Sequence, residues 1–298
     1  MQELLSPKQV ATSIGVSESS LKRWCDQGVI ATERTPGGHR RIQVGAVIRF
    51  LREQRRSLVR PEVLGLPVGA GQVIRSQDKA NEALFDALKA GNHEQARRLF
   101  IDLYVAGMSV VQLGDQVVAP ALHRLGDSWQ CGQIEVYQEH RACEILSRAL
   151  YELRLMLPPP SPSAPIAIGG TPPGDDYRLP TLMVELVLAD EGWNAVSLGS
   201  NLPFGTMAAA AVQHRPDLFW LSSTHVADAT ALRAGMASFL ASTPVSMKVV
   251  VGGQKSNQVF SGLDQGGRLL HGADLAELQR IASGLRPTAA VSSQPAPD

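Results

Sequence analysis

The sequence predicts a multidomain α and α/β chain: an N-terminal winged helix-turn-helix, a helical bundle, and a C-terminal Rossmann-like, doubly wound parallel sheet. Three observations carry this. Two short capped helices separated by a glycine turn precede a Pro-Gly-Gly-His-Arg-Arg segment within the first 60 residues. Helical spacing then dominates from 77 to 156. From 166 onward, short apolar runs alternate with helical ones, the pattern of a parallel sheet with helices on its faces. A chain of 298 residues suits two or three domains rather than one small core. At 44% hydrophobic and 19% charged residues it is expected to fold.

The first part, 1–60, reads as a DNA-binding domain. Ser6 caps a helix, Pro7 suits its first turn and Gln9 occupies the capping-box position. Val10, Ala11 and Ile14 form its apolar stripe, and Gly15 ends it. Ser17 caps a second helix over 18–27, stopped by Gly28. In a helix-turn-helix this second helix enters the major groove. It is expected to present Ser19, Lys22 and Arg23 to DNA and to turn Leu21 and Trp24 inward. Thr35-Pro36-Gly37-Gly38 then makes a hairpin tip whose neighbours His39, Arg40 and Arg41 can reach phosphates. A helix over 44–56 completes the core.

A linker over 61–76 follows, marked by Pro61, Pro67 and several glycines. The segment 77–157 predicts a four- or five-helix bundle. Leu84 and Leu88 share a face, Gly91-Asn92 breaks the pattern, Ala96, Leu99 and Leu103 resume it, and a last helix runs over 134–156. The proline run over 158–165 predicts a stiff linker. Over 166–285, strands are expected at 166–169, 195–198, 218–221 and 249–251, and helices at 181–190, 206–214, 229–240 and 273–285. The tail over 286–298, rich in Pro, Ser and Ala, is expected to be disordered.

The net charge is zero, with 28 basic and 28 acidic residues, yet its distribution is uneven. Residues 1–60 hold 11 basic and 5 acidic side chains, and the remainder holds 17 basic and 23 acidic. A basic head on an acidic body fits a DNA reader joined to another module. Cys25, Cys131 and Cys143 form no Cys-x-x-Cys pair, so no metal site is expected and a reducing cytoplasm fits. The first residues lack a signal-peptide pattern, and no apolar run approaches the ~18 residues of a membrane span. Cytoplasmic location and no membrane partner are therefore expected.

The order of capped helix, glycine turn, second helix and Gly-Gly-His-Arg-Arg wing resembles the MerR family of transcription regulators. Trp129, followed after nine residues by Glu139-His140, matches the motif of the LitR/CarH-like branch of that family. The resemblance extends from Ser6 to about Leu285. It implies a light-responsive repressor, not an enzyme, that binds promoter DNA as a homo-oligomer, dimer or tetramer. It also implies that Trp129, Glu139 and His140 cover the upper side of adenosylcobalamin. Cobalamin-binding Rossmann-like domains carry (Asp/Glu)-x-His-x-x-Gly after their first strand, the His ligating cobalt. The corresponding loop here, 174–180, keeps the acid as Asp175 but has Tyr177 for the His and Pro180 for the Gly. Ser222-Ser223 and Gly252-Gly253 match the family's serine and Gly-Gly positions, where backbone approaches the nucleotide tail.

The change at 177 matters chemically. Neutral imidazole is a good nitrogen donor, whereas a phenol with a pKa of about 10 must first lose its proton. Pro180 is expected to stiffen the same loop. The expectation is a tetrapyrrole other than His-ligated cobalamin: a biliverdin-type bilin first, adenosylcobalamin in another ligation mode second, haem third. A pocket with no cofactor is the remaining case. Cys131, near Trp129, can attach a bilin covalently or be a buried thiol. Asp175-Asp176 can be a carboxylate pair or capping acids. His123, His214, His225 and His271 show no metal-ligand spacing and read as ordinary. Two other readings compete: a corrinoid carrier domain of a methyltransferase or mutase, and a ligand-independent regulator that uses the sensor fold for protein contacts.

Overall fold

In the computed structural model, which describes residues 4–71, 77–263 and 266–286, the head is built as its capping signals dictate. Helix α1 (Pro7–Ile14) starts at Ser6, whose hydroxyl accepts the Gln9 amide while the Gln9 side chain accepts the Ser6 amide. Gly15 ends it in the left-handed region at φ +70°. Helix α2 (Glu18–Asp26) is capped by Ser17. Strands β1 (Leu4–Leu5), β2 (Glu33–Arg34) and β3 (Arg40–Gln43) form an antiparallel sheet in the order β1-β3-β2. Helix α3 (Val44–Glu53) is shorter than its expected 44–56. Leu5, Val10, Leu21, Ile42 and Ile48 are buried between these elements. Trp24 is half-buried and meets Phe50 at a ring distance of 5.2 Å.

The segment expected to be a linker is folded through Gly71. The amides of Val59 and Arg60 both donate to the Ser13 carbonyl, and a 3-10 turn at Pro61–Leu64 buries Pro61 and Leu64. Leu66 and Ala70 are buried as well. These apolar side chains outweigh the local breaking effect of proline and glycine. Residues 72–76 of that linker, and the tail beyond Arg286, lie outside the described residues.

The bundle has four helical runs. They are α4 (Gln77–Ala90), α5 (His93–Val105), a third run, and α8 (Val136–Met156). The third run is α6 (Val110–Leu113), a π turn (Gly114–Val118) and α7 (Ala119–Gln130) in succession. Pro120 sits at the start of α7, where a helix tolerates its missing N–H. The head packs directly on this bundle. A Cβ on Gly45 of α3 would lie 2.6 Å from the Met156 carbonyl oxygen at the end of α8. Arg52 of α3 donates from Nη1 to the carbonyls of Tyr104 and Met108.

The last part is a five-stranded parallel sheet. Its strands are β4 (Ile166–Gly170), β5 (Asn194–Ser197), β6 (Leu218–Ser222), β7 (Lys248–Gly252) and β8 (Leu269–Gly272), in the order β5-β4-β6-β7-β8. Helices α9 (Arg178–Asp190), α10 (Phe204–His214), α11 (Ala229–Ser242), α12 (Ser256–Phe260) and α13 (Leu275–Leu285) cover it. β8 and α12 were not expected from the sequence. Pro180 is not in the loop but in the first turn of α9, where no intrahelical N–H is required, so the helix begins before it. Helices α9 and α13 face the bundle, and a core runs continuously from the head through the bundle to this side of the sheet. A second core lies between the other sheet face and α10 and α11. Among the described residues no helix is long and apolar enough to cross a membrane.

Candidate functional site

On the head, α2 exposes Ser19, Lys22 and Arg23. Lys22 pairs with Glu18 at 2.7 Å, and that ammonium holds the Glu18 carboxyl below its ordinary value. The wing tip is closed by the Thr35 amide donating to the His39 carbonyl at 2.9 Å and by Gly38 at φ +77°. His39 is exposed, and Arg40 and Arg41 are half-buried. Arg40 bonds Asp26 of α2 at 2.5 Å, which fixes the wing against the recognition helix. The β2–β3 register sets Arg34 directly opposite Arg40 and Glu33 opposite Arg41. Like charges facing each other across strands are unfavourable unless an anion is near, and Arg40 has one in Asp26. Arg34 is exposed beside it and adds a further cation to the basic face. The sequence reading passed over it because the pairing register alone brings it there.

The second site lies where the sheet changes winding direction. β4 and β6 are neighbours, and the chain leaves them toward strands on opposite sides, so their following loops bound a crevice. One carboxylate joins these loops. Asp175, fully buried, accepts the Tyr177 amide on Oδ1 at 3.0 Å, and the Thr224 and His225 amides on Oδ2 at 2.6 and 3.0 Å. Asp176 turns away and accepts from the Asn201 side chain at 3.0 Å. The two acids therefore make no acid–base pair. Tyr177, which precedes α9, is half exposed.

Beside the crevice, the Ser223 amide donates to the Gly252 carbonyl at 2.7 Å. Gly253 sits at φ +101°, and a Cβ there would run into the Ser223 backbone. The Ser223 hydroxyl is buried and has no hydrogen-bond partner among the described residues. A cavity of about 230 Å³ opens between the sheet edge and the bundle. Val118, Leu122, Met183, Trp220, Val250 and Leu278 give it apolar walls, and Ser222, Gly252 and Gly253 stand at its polar rim. Trp220 is fixed by its Nε1 donating to Thr181 Oγ1 at 2.8 Å, with the indole against Gly169. Asp115, in the π turn, accepts the Leu275 and Ala276 amides at 3.2 and 3.1 Å and so ties bundle to sheet domain. Burial raises its carboxyl above the usual value.

The bundle lines the cavity with Gly114, Asp115, Val118, Ala119 and Leu122, and Trp129, Glu139 and His140 stand outside that lining. Trp129 stands in the last turn of α7, on the same stripe as the cavity-lining Leu122, and is half exposed. Glu139 accepts the Cys143 thiol at 3.5 Å, and His140 Nε2 lies 3.6 Å from Glu139 Oε2 with its ring exposed. Burial, then Glu139, pushes the Cys143 thiol up to about 12. Two turns beyond Glu139 on α8, Ser147 borders a second cleft with Arg178 and Ser197 of the sheet domain. Cys131 is exposed at the end of α7, which corrects the buried-thiol alternative. His123 reaches Gln254 across the domain boundary at 3.4 Å, so it is not without a place in the interface. Among the described residues no group of three or more His, Cys, Asp or Glu is arranged to hold a metal ion.

These features fit one part of a corrinoid well and another part differently. The apolar cavity suits a flat aromatic base, and the glycine rim allows backbone to approach a ribose and phosphate. The unpartnered Ser223 hydroxyl is next in the chain to the rim residue Ser222. Position 177, however, offers a phenol in place of an imidazole.

Comparisons with known proteins agree with this division. A profile described as a helix-turn-helix domain matches residues 4–55, and one described as a B12 binding domain matches residues 80–154. The chain is 26% identical over 223 residues to the HTH-type transcriptional repressor CarA of Myxococcus xanthus, covering 72% of this chain and 75% of that protein. It is 23% identical over 257 residues to the HTH-type transcriptional repressor CarH of the same organism, covering 80% and 85%. Among solved structures, the Methanosarcina barkeri monomethylamine corrinoid protein superimposes with a TM-score of 0.59 at 18% identity, over 71% of this chain and 100% of that one. That likeness establishes the fold of bundle and sheet. The comparisons support a corrinoid-type body and give no support to the bilin that the sequence reading placed first.

Proposed function

We infer that this chain, a CarA/CarH-like regulator with a helix-turn-helix head and a B12-binding-type body, is a DNA-binding transcriptional repressor that takes a corrinoid between bundle and sheet. The observation that carries this is the apolar cavity at the carboxyl ends of β6, β7 and β8, beside the winding switch, rimmed by Ser222, Gly252 and Gly253 and walled by bundle residues Val118 and Leu122. Gly252, Gly253, Ser222 and Ser223 hold the nucleotide tail. Asp175 keeps the two rim loops in register, and Trp129, Glu139 and His140 cover the other side. When bound, the corrinoid supplies a chromophore whose change under light alters its fit to the two walls. Only a ligand that interacts differently with two states can shift them.

The head reads DNA through Ser19, Lys22 and Arg23 and grips phosphates through Arg34, His39, Arg40 and Arg41. The chain acts as a homo-oligomer in the cytoplasm, and illumination changes its assembly and hence its hold on promoter DNA. The relatives are named as repressors rather than enzymes, which favours regulation over a carrier role in methyl transfer.

The test is an absorption spectrum of the full-length protein, desalted in the dark after separate supply of adenosylcobalamin, biliverdin and haemin. Retention of the corrinoid spectrum, with operator affinity that changes on illumination, is the expected result. Retention of biliverdin instead, released by Cys131→Ala, would restore the bilin. A protein that binds operator with no retained chromophore would make it a ligand-independent regulator.

A further inference from the structure

We propose that His225 is the axial imidazole of this site, donating to cobalt from the loop after β6 in place of the phenol at Tyr177. The inference rests on the corrinoid reading above. An axial donor to a corrin cobalt is best an uncharged nitrogen with an accessible lone pair, and imidazole provides one near neutral pH. A phenol provides an oxygen only after losing a proton at an ordinary pKa of about 10.

The crevice has two bounding loops, and a donor can be offered from either. His225 lies on the loop opposite Tyr177. The two residues hang on the same buried carboxylate: Asp175 Oδ1 accepts the Tyr177 amide and Oδ2 the His225 amide, each at 3.0 Å. The backbone of residue 225 is thereby fixed relative to that of residue 177, while its side chain is exposed and free to take a ligand. Two residues earlier, the buried Ser223 hydroxyl has no partner among the described residues, and the apolar cavity reaches the rim at Ser222 and Gly253. The cavity rim at Ser222 lies three residues before His225, so a ligand seated at the rim meets this loop.

The other histidines are placed elsewhere. His123 and His140 stand on bundle helices, and His123 already meets Gln254. His214 ends α10, just ahead of β6 and so at the amino ends of the strands, and the Nδ1 of His271 is buried within β8. Among the described residues, His225 is the histidine carried by a loop at the carboxyl ends of β4 and β6. The bond formed is dative: the imidazole lone pair takes the place of the one from the corrinoid's own nucleotide base, which leaves with its electron pair, so no net electron or proton is transferred and no co-reactant is required. Asp175 acts as a positioning residue.

The experiment uses the full chain loaded with cobalamin in the cobalt(II) form, made once from natural-abundance protein and once from protein carrying nitrogen-15 histidine. Its readout is the nitrogen splitting of the electron paramagnetic resonance spectrum. The expected result is a triplet that becomes a doublet on histidine labelling. In His225→Gln and His225→Ala the histidine-derived splitting is lost, and cobalamin binds at least about tenfold more weakly. Added imidazole restores a nitrogen signal to His225→Ala. Circular dichroism of both variants matches the parent.

A triplet indifferent to histidine labelling, or labelling-sensitive splitting that survives in both variants, overturns the assignment and leaves the corrinoid reading standing. Failure of the parent chain to retain cobalamin in any form overturns the corrinoid reading itself, and the assignment with it.

Discussion

The Arg52 guanidinium lies 4.1 Å from the centroid of the Tyr104 ring and donates to the Tyr104 and Met108 carbonyls. One residue of the DNA-binding head is thereby fastened to two of the bundle. Asp190 of α9 is also near: burial raises its carboxyl and the Arg52 charge partly offsets this. Head, bundle and sheet domain converge on a single side chain. Arg52→Ala is expected to lower stability by about 2 kcal/mol, since charge-assisted hydrogen bonds of this kind contribute about 1.5–3 kcal/mol. Arg52→Lys should recover part of the loss, because an ammonium cannot fork between two carbonyls while lying on a ring. Urea unfolding followed by tryptophan fluorescence measures both, and an unchanged midpoint for Arg52→Ala would refute the coupling.

The facing pair Arg34 and Arg40 predicts a salt-sensitive contribution to DNA binding. Arg34→Ala should reduce the slope of log affinity against log salt by about 1, with little change in sequence preference. The double variant Arg23→Ala, Arg41→Ala should abolish a specific footprint. Titration of a labelled operator across a salt series separates the two effects. An Arg34→Ala slope equal to the parent's would mean that no phosphate lies between the two strands.

Asp175 carries the rim, so its removal should be read there first. In Asp175→Ala three backbone amides lose their acceptor, which costs about 1–3 kcal/mol per buried group left unsatisfied. Hydrogen exchange at Thr224 and His225 should accelerate by at least about tenfold while β7 stays protected. Asp175→Asn keeps one carbonyl acceptor and should fall between. Unaltered exchange at both amides would contradict the clamp.

Asp102 gives the chain a pH dependence of known sign. Burial pushes its carboxyl up to about 6 from a usual 3.8, and its Oδ1 has no partner among the described residues. The folded state thus binds the proton more tightly than the unfolded one. Its contribution to stability is full below about pH 4 and is lost as pH rises through 6. Asp102→Asn should accordingly raise the melting temperature at pH 8 and leave it nearly unchanged at pH 4. A larger gain at pH 4 than at pH 8 would reverse the assignment.

Local chemistry was legible and long-range chemistry was not. Ser6, Gln9 and Gly15 announce α1 because caps and left-handed turns are decided within four residues. The strand β8 reads only Leu-Leu-His-Gly and is a strand because Val249–Gly252 lie beside it in register. The segment 61–71 looked like a linker because its prolines and glycines are visible, whereas helix α1, on which the turn Pro61–Leu64 packs, is far away in sequence. Asp175 was recognisable as the acid of a motif. Its actual work, holding amides from a loop some fifty residues on, depends on the order of the strands. Arg34 joined the basic face for the same reason.

Helix α8 has 21 residues and is therefore about 30 Å long. Its first turns carry Glu139 and His140, and its last carbonyls abut Gly45 of the head. Over that length a tilt of about 2° corresponds to about 1 Å at the far tip. With no room for even a methyl group at Gly45, the end of α8 is in direct contact with the helix that follows the wing.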